Sequence, residues 1–349
     1  MRAKLEDVCV RGSSNLKQSD VIDKTGEYPI YGAAGYIGNV DFYHQDQPYV
    51  AVVKDGAGIG RTSLYPAESS VIGTMQYLLP KENVLPEYLC YVVKYMHLEK
   101  YFTGATIPHI YFKDYKKEEF NLDTLDRQKE IVNILGRIEC VISSRQQELQ
   151  KLDELIKARF VELFGDPDNN EKSWDIDKME HLCEVGSSKS IYQNEQSMEG
   201  APFLRISDLV NRIDTGSKKC DSYIPIEKFA ELKEQGLVPR PGDILLTARG
   251  TLGRCYIVQS DDEFYFQDGM ITWLSNYDRR ITALYISYLF EMPGFRKQID
   301  ALQAGSTVAY MSISMTKKLN IIVPPIELQN QFADFVKQVD KSKVIKLSN

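Results

Sequence analysis

The chain has 349 residues, of which 43% are hydrophobic and 26% are charged, a composition typical of a folded soluble protein and unlike that of a disordered one. Its net charge of −7 excludes a uniformly basic surface but leaves room for a local basic patch. The sequence predicts no membrane span and no secretory leader. The six cysteines are scattered without a Cys-x-x-Cys pair, which argues against a zinc site or disulfides and favours the cytoplasm. The length indicates two domains.

An internal repeat organises the chain. Five short segments recur in the same order, and the offset between the copies grows from 174 to 201 residues. This order predicts a duplicated unit whose second copy carries insertions. The matching segments are residues 4–9 with 178–183, 60–61 with 253–254, 88–91 with 285–288, 104–109 with 305–310, and 125–128 with 326–329.

Each copy is predicted to be mixed and mainly β, with a glycine-rich loop between two strands. The loop lacks the following helix and the Gly-Lys-Ser/Thr sequence that a nucleotide-phosphate site requires, so it predicts a hairpin. The strand, loop and strand are residues 49–54, 55–61 and 62–65 in the first copy, and 243–248, 249–254 and 255–258 in the second.

These loops are candidates for contact with DNA. Glycines let the backbone approach a polyanion, and arginine pairs with phosphate or with the edge of guanine. A second loop in each copy adds small hydroxyls and an aromatic ring. Solvated turns with ordinary surface cations explain the composition equally well, so the residues alone leave both interpretations open. The candidate contacts are Lys54, Arg61, Thr106 and His109 in the first copy, and Arg205, Thr247, Arg249, Arg254, Ser306 and Thr307 in the second. The second copy also offers Arg212, Lys218 and Lys219.

The segment between the copies is predicted to be one long helix. From residue 131 to residue 163, ten positions alternate in steps of four and three, and eight of them are apolar, as in a coiled-coil seam. Gly165 followed by Pro167 predicts the helix end. From Asp126 to Phe164 the helix would extend about 60 Å.

A similar helix is predicted at residues 326–347, and we expect it to pack antiparallel against the first. It is shorter by roughly 15 residues, because Asn349 corresponds to Glu148 of the first copy at the repeat offset of 201. The shorter partner predicts an exposed half-seam from about Leu149 to Leu163. Packing of the first helix on one globular domain alone is the alternative.

The ordered set of these features resembles the specificity subunit of type I restriction–modification systems. The resemblance covers nearly the whole chain and depends on the two unequal copies, the hairpin, the Gly-Ser-Thr loop and the end of the first helix. The segments that carry it are residues 241–250 with Gly253, 305–307, 321–329 and 158–167.

The resemblance implies an α+β fold with two pseudo-repeated, mixed β-rich target-recognition domains, separated by long antiparallel coiled-coil spacer helices. The implied domains are residues 1–122 and 166–325, and the implied spacers are residues 123–165 and 326–349. Each domain would recognise one half of a bipartite double-stranded DNA target. The spacers would dock methyltransferase subunits, and a separate motor–nuclease restriction subunit would cut. S-adenosylmethionine, ATP and Mg are then expected on those partners, with no cofactor, metal or membrane for this chain.

The residues predict no catalysis by the chain itself. Residues 323–326, Val-Pro-Pro-Ile, lack the polar and aromatic ends of the adenine-methyltransferase motif, and no P-loop is present. We therefore expect a DNA sequence-recognition subunit without catalytic residues. A non-catalytic oligomerisation or adaptor protein and a truncated, silent specificity subunit remain open as alternatives.

Overall fold

The computed structural model describes residues 1–21, 23–104, 107–301 and 309–348, with side chains described as far as Lys343. It divides into two compact units, residues 1–144 and 145–349. The two units repeat one α+β arrangement, which confirms the predicted duplication and fold class. In the described part of the chain, we find no helix that is both long and apolar enough to cross a membrane.

Among its described residues, the first unit has nine short strands and three α-helices before the long helix. The strands are β1 (Arg2–Lys4), β2 (Cys9–Ser13), β3 (Tyr28–Gly32), β4 (Gly35–Val40), β5 (Tyr49–Val53), β6 (Thr62–Tyr65), β7 (Ser70–Val71), β8 (Met75–Pro80) and β9 (Glu119–Asn121). The helices are α1 (Leu5–Val8), α2 (Pro86–Tyr95) and α3 (Phe112–Tyr115), and the long helix is α4 (Leu125–Phe164).

The main sheet of the first unit has the order β2-β8-β5-β6, and its neighbouring strands are antiparallel. Strand β5 reads Tyr-Val-Ala-Val-Val, and all five side chains are buried, as expected for a strand covered on both faces. A second sheet, β4-β3-β7, packs beside it, and β1 pairs with β9 to bring the two ends of the unit together. Helix α2 packs on the main sheet and buries Leu89 and Val93 in the core.

The second unit repeats this arrangement with additions. Its strands are β10 (Asp175–Lys178), β11 (Glu184–Gly186), β12 (Ala201–Leu204), β13 (Tyr223–Ile224), β14 (Ile244–Thr247), β15 (Cys255–Ile257), β16 (Tyr265–Phe266), β17 (Ile271–Ser275) and β18 (Asn320–Val323). Its helices are α5 (Met179–Leu182), α6 (Ile206–Thr215), α7 (Ile226–Glu234), α8 (Ala283–Leu289), α9 (Pro293–Ala301), α10 (Ile313–Lys317) and α11 (Ile326–Ser348).

The topology of the second unit matches the first strand for strand. The main sheet has the order β11-β17-β14-β15, the second sheet β13-β12-β16, and β10 pairs with β18 as β1 pairs with β9. Helices α6 and α7 lie between β12 and β14, where the described part of the first unit has no helix. These helices account for much of the extra length of the second copy.

Helix α4 runs without interruption for 40 residues, as the heptad pattern predicts. It ends where Gly165 adopts a left-handed conformation with φ of 82°, which a glycine reaches without the steric cost of a Cβ. The backbone N–H of Gly165 donates to the Val161 carbonyl at 2.8 Å and closes the last turn. The second half of α4 belongs to the second unit.

Within the second unit, α11 packs antiparallel against that half of α4. The Phe332 ring lies 5.6 Å from the Phe164 ring near one end of the pair. Near the other end, Lys343 Nζ lies 2.7 Å from Asp153 Oδ1. The predicted antiparallel arrangement is therefore confirmed.

The prediction of an exposed half-seam between Leu149 and Leu163 is wrong. Ile156, Phe160 and Leu163 are buried in the core of the second unit, because that core and α11 cover this half of α4 together. Leu155 and Val161 in the second half are 48% and 45% exposed, and four more strongly exposed apolar residues lie in the first half of the helix. They are Ile134, Ile138, Val141 and Ile142, each 49–58% exposed.

Candidate nucleic-acid interface

In the first unit, the two predicted loops form one continuous surface. The Gly60 N–H donates to the Val53 carbonyl at 2.9 Å, which closes the glycine-rich hairpin. The Gly56 N–H donates to Pro108 at 3.0 Å, and the Ile110 N–H donates to Lys54 at 2.9 Å. These backbone bonds tie the hairpin to the second loop and fix the position of both.

The second unit builds the same pair of loops with the same bonds. The Gly253 N–H donates to the Thr247 carbonyl at 2.9 Å, as Gly60 does to Val53. The Met311 N–H donates to the Ala248 carbonyl at 3.0 Å, which corresponds to the bond between Ile110 and Lys54. The duplication therefore extends to the detailed geometry of the loops.

The side chains that join the two loops differ between the units. In the first unit, Asp55 Oδ1 lies 2.6 Å from His109 Nδ1. In the second unit, the Arg249 guanidinium lies over the Tyr310 ring, 5.5 Å from its centroid, which is cation–π geometry. The backbone bonds place Asp55 and Arg249 at equivalent positions, so the two units present opposite charges at the same point.

The predicted cations differ in their exposure and in the groups that lie close to them. Arg249 is exposed, and so is Arg205 at the start of α6. Arg61 is also exposed, and its Nη1 donates to the Ala33 carbonyl at 3.1 Å in the turn between β3 and β4. Lys54 is half-buried, and its Nζ lies 3.8 Å from Asp55.

Arg254 is held by an acidic partner. Both terminal nitrogens of its guanidinium donate to the Asp214 carboxylate, one of them at 3.1 Å. These bonds from Arg254 hold the pKa of Asp214 below its usual range, because they favour the ionised carboxylate. Arg254 is therefore positioned by its partner.

Two of the predicted contacts are buried, and a third is exposed but paired with a carboxylate. Thr247 has no exposed surface; its hydroxyl donates to the Thr251 carbonyl and accepts from the Arg254 N–H at 3.0 Å, so it holds the hairpin together. Arg212 is 5% exposed and pairs with Asp262 at 3.0 Å, and Lys218 binds the same carboxylate. Thr106, Ser306 and Thr307 lie outside the described residues.

An aromatic surface that the sequence does not predict lies beside Arg61. The Tyr31 and Tyr65 rings stack at 3.9 Å, and the exposed Tyr36 meets Tyr31 edge to face at 6.2 Å. The Tyr36 hydroxyl donates to Asn39 Oδ1 at 3.0 Å. Tyr31 and Tyr36 lie on the paired strands β3 and β4, whereas Tyr65 lies on β6 of the main sheet, so the packing of the two sheets brings the three rings together. Their spacing along the chain gave no signal.

A model of the type I restriction modification DNA specificity domain matches the chain twice, at residues 1–154 and 171–348. The chain is 25% identical to a putative type I restriction enzyme specificity subunit, S.HindORF215P, of Haemophilus influenzae, over 89% of this chain and 80% of that protein. It is 23% identical to the type I restriction enzyme MjaVIII specificity subunit of Methanocaldococcus jannaschii, over 85% of this chain and 73% of that protein.

Two solved structures share the fold. The S subunit of a type I restriction–modification system from M. genitalium superposes with a TM-score of 0.60 at 14% identity, covering 100% of this chain and 91% of that one. A chain from a study of complex assembly and conformational transition in the type I system gives a TM-score of 0.52 at 13% identity, covering 100% and 92%.

Proposed function

Because the chain belongs to the type I restriction–modification DNA specificity family and is a sequence-recognition subunit of that kind, we propose that each unit recognises one half of a bipartite double-stranded DNA target. The observation that carries this proposal is the duplicated surface of two tied loops, with an exposed arginine in each unit. Two separate DNA-binding surfaces on one chain fit a target with two specified blocks.

Within each surface, we assign different roles to the cations. Arg249 and Arg61 are exposed and contact phosphate or a base edge, because a guanidinium can pair with either in bidentate fashion. Lys54, His109 and Arg205 supply further phosphate contacts at the edge of the loops. Arg254 contributes through its ion pair with Asp214, which fixes where its charge lies.

We propose that partner subunits carry out the methylation and cleavage reactions. The target-recognition domains are residues 1–122 and 166–325, and the spacer helices are residues 123–165 and 326–349. The spacers dock methyltransferase subunits that carry S-adenosylmethionine, and a motor–nuclease subunit uses ATP and Mg, with the whole complex acting in the cytoplasm. The non-catalytic character of the specificity family supports this division.

The test is to co-express the chain with the methyltransferase subunit from the neighbouring gene and to map adenine methylation in the host DNA. We expect a split motif of two short blocks around an unspecified gap. Arg249→Ala should relax the block read by the second unit, and Arg61→Ala the block read by the first, because each arginine belongs to one surface. The matched control is Lys233→Ala, which removes an exposed cation from α7.

Methylation of an uninterrupted motif would contradict the two-reader proposal. So would relaxation of both blocks by a single arginine variant. If Lys233→Ala relaxed the motif as much as Arg249→Ala does, the loop surface would lose its assigned role.

A further inference from the structure

A polar cleft of the second unit lies where two parallel strands end. Strands β12 and β16 are parallel neighbours, and Leu204 pairs with Phe266 at their carboxyl ends. Arg205 directly follows β12 and Gln267 directly follows β16, so both residues lie at the same edge of the sheet. The Gln267 N–H donates to the Leu204 carbonyl at 2.9 Å and fixes this arrangement. The cleft at this edge has a volume of 390 Å³, and the carboxyl ends of parallel strands are a common place for ligands to bind.

The cleft lies beside the hairpin to which we assign DNA contacts. The Ala248 N–H donates to the Met270 carbonyl at 2.9 Å, which holds the turn after β16 against the start of the hairpin. Gln267 begins this turn, and Arg249 is the residue that follows Ala248. The cleft is therefore an extension of the loop surface that carries Arg249.

Most of the side chains that line the cleft are polar. They provide three amides, a guanidinium and a carboxylate, from Gln193, Gln196, Gln267, Arg205 and Asp268. Within the described residues, none of the three amide groups has a hydrogen-bond partner. The carboxylate is held in place, because the Ser190 hydroxyl donates to Asp268 Oδ2 at 2.6 Å. The amide donors and acceptors are therefore available to a ligand beside a fixed negative charge.

The first unit has apolar packing at the equivalent position. The backbone bond that fixes Gln267 is repeated there, where the Ile72 N–H donates to the Tyr31 carbonyl at 2.9 Å after the parallel pair β3 and β7. Ile72 is 6% exposed, and a Cβ added at the neighbouring Gly32 would lie only 2.8 Å from Ile37 Cδ1. The fold therefore does not need polar side chains at this edge, so their presence in the second unit requires another explanation.

The mixture of groups favours the edge of a base over a phosphate. The carboxylate of Asp268 repels a phosphate, whereas it can accept a hydrogen bond from the exocyclic amino group of a base. A glutamine amide carries both a donor and an acceptor, which match N7 and the N6 amino group of adenine in the major groove. Gln267 is the amide best held for this contact, because its backbone is bonded to β12 while its side chain has no partner among the described residues.

We propose that the cleft is a base-reading subsite of the second unit, in which Gln267 specifies an adenine at a position of the second block other than the methylated base. The methylated base is not the one read, because it leaves the base stack to reach the methyltransferase. This inference rests on the proposed function and adds to it the residue that selects one base. The first block has no equivalent contact, because Ile72 occupies the position of Gln267.

The test maps adenine methylation for variants of the full chain that are co-expressed with the methyltransferase subunit. Gln267→Glu should shift the preference at one position of the second block from adenine towards cytosine by at least about tenfold, because glutamate accepts from the cytosine amino group and cannot donate to N7 of adenine. Gln267→Ala should remove the preference at that same position. Gln235→Glu is the matched control: it makes the same change at an exposed position after α7 and should leave both blocks unchanged.

A second measurement covers variants that no longer support methylation. Fluorescence anisotropy of the purified complex, with duplexes that differ only at that position, gives the base preference directly, and an unchanged thermal unfolding midpoint verifies folding. A wild-type preference in the Gln267 variants, or a change in the first block, would overturn the subsite.

Arg249→Ala separates this failure from that of the proposed function. If Arg249→Ala relaxes the second block and the Gln267 variants do not, the subsite alone is wrong. If none of these variants relaxes that block, the loop surface of the second unit also loses its assigned role.

Discussion

The two units build the same junction between globular domain and helix, down to single hydrogen bonds. Gln128 is fully buried; its Nε2 donates to the Asn83 and Asp123 carbonyls at 3.0 and 2.9 Å, and its Oε1 accepts from the Leu85 N–H at 2.9 Å. Gln329 makes the corresponding three bonds in the second unit. Its Nε2 donates to the Arg280 and Pro324 carbonyls at 2.8 and 2.9 Å, and its Oε1 accepts from the Thr282 N–H at 2.9 Å.

Beyond this junction the units differ in what covers the helix. In the second unit, the stripe of α11 is buried by the end of α4, whereas in the first unit the equivalent stripe on α4 is half exposed. The same apolar pattern therefore forms a core in one place and an open face in the other. The pattern determines which face of a helix is apolar, and the course of the chain determines whether that face is covered.

The largest expected effect tests this difference. Phe160→Ala should lower the free energy of unfolding of the second unit by about 3–5 kcal/mol, because it removes a fully buried ring from an aromatic cluster. Ile131→Ala, in the first unit, should cost roughly 1–2 kcal/mol, since its side chain is only half buried.

The two tryptophans make this comparison measurable. Trp174 and Trp273 both lie in the second unit, so tryptophan fluorescence during urea unfolding follows that unit alone. Phe160→Ala should shift the fluorescence midpoint, whereas Ile131→Ala should leave that midpoint unchanged and shift only the part of the circular-dichroism transition that fluorescence does not follow. Equal costs for the two variants would contradict the distinction between a covered and a half-exposed helix face.

The long helix and the repeat were predictable from sequence, because each produces a regular spacing of similar residues along the chain. The heptad spacing places α4, and the matched pairs such as Gln128 and Gln329 give the duplication. The burial of the second half of α4 was predicted wrongly. A comparison of the two helix lengths ignores the globular core, which also buries Ile156 and Phe160.

The candidate site was less predictable than the fold. The glycine-rich hairpins follow from local sequence, but the burial of Thr247 and the pairing of Arg254 with Asp214 depend on strands and helices far apart in the chain. Asp214 precedes its partner by 40 residues, on α6. Sequence spacing alone cannot show which surface cations already have a carboxylate.

The second prediction tests whether the two buried glutamines stabilise their junctions equally. Gln128→Met and Gln329→Met should each cost about 2–3 kcal/mol, because each leaves buried backbone groups without their partner while nearly preserving side-chain volume. During urea unfolding, tryptophan fluorescence reports the second unit, and circular dichroism reports both units together. A difference of more than about 1 kcal/mol between the two variants would show that the junctions are not energetically equivalent.

The third prediction concerns the two hairpin glycines. Gly60 and Gly253 both have positive φ, 80° and 68°, so alanine at either position costs about 1–2 kcal/mol in backbone strain. A Cβ at Gly60 would also lie 2.7 Å from the backbone nitrogen of Glu99, whereas at Gly253 it meets the flexible end of Ile299 at 3.0 Å. Gly60→Ala should therefore destabilise its unit more than Gly253→Ala does.

Thermal unfolding of both variants measures that difference, and Gly136→Ala provides a control. Gly136 lies inside α4, and a Cβ added there would meet no described atom within 4 Å beyond the backbone of its own helix, so alanine should stabilise the helix by up to about 1 kcal/mol. A larger loss at Gly253 than at Gly60 would show that side-chain crowding outweighs the backbone contact.

The smallest expected effect concerns the charges that distinguish the two loop surfaces. Asp214→Asn removes the carboxylate that neutralises Arg254, so nonspecific affinity for duplex DNA should rise a few-fold and the salt dependence should steepen by about one phosphate contact. Asp278→Asn is the matched control, because Asp278 pairs with Arg280 in the same unit, outside the hairpins. Fluorescence anisotropy across a salt series measures both. If the two variants behaved alike, the gain would come from net charge, and the loops would have no special role in binding DNA.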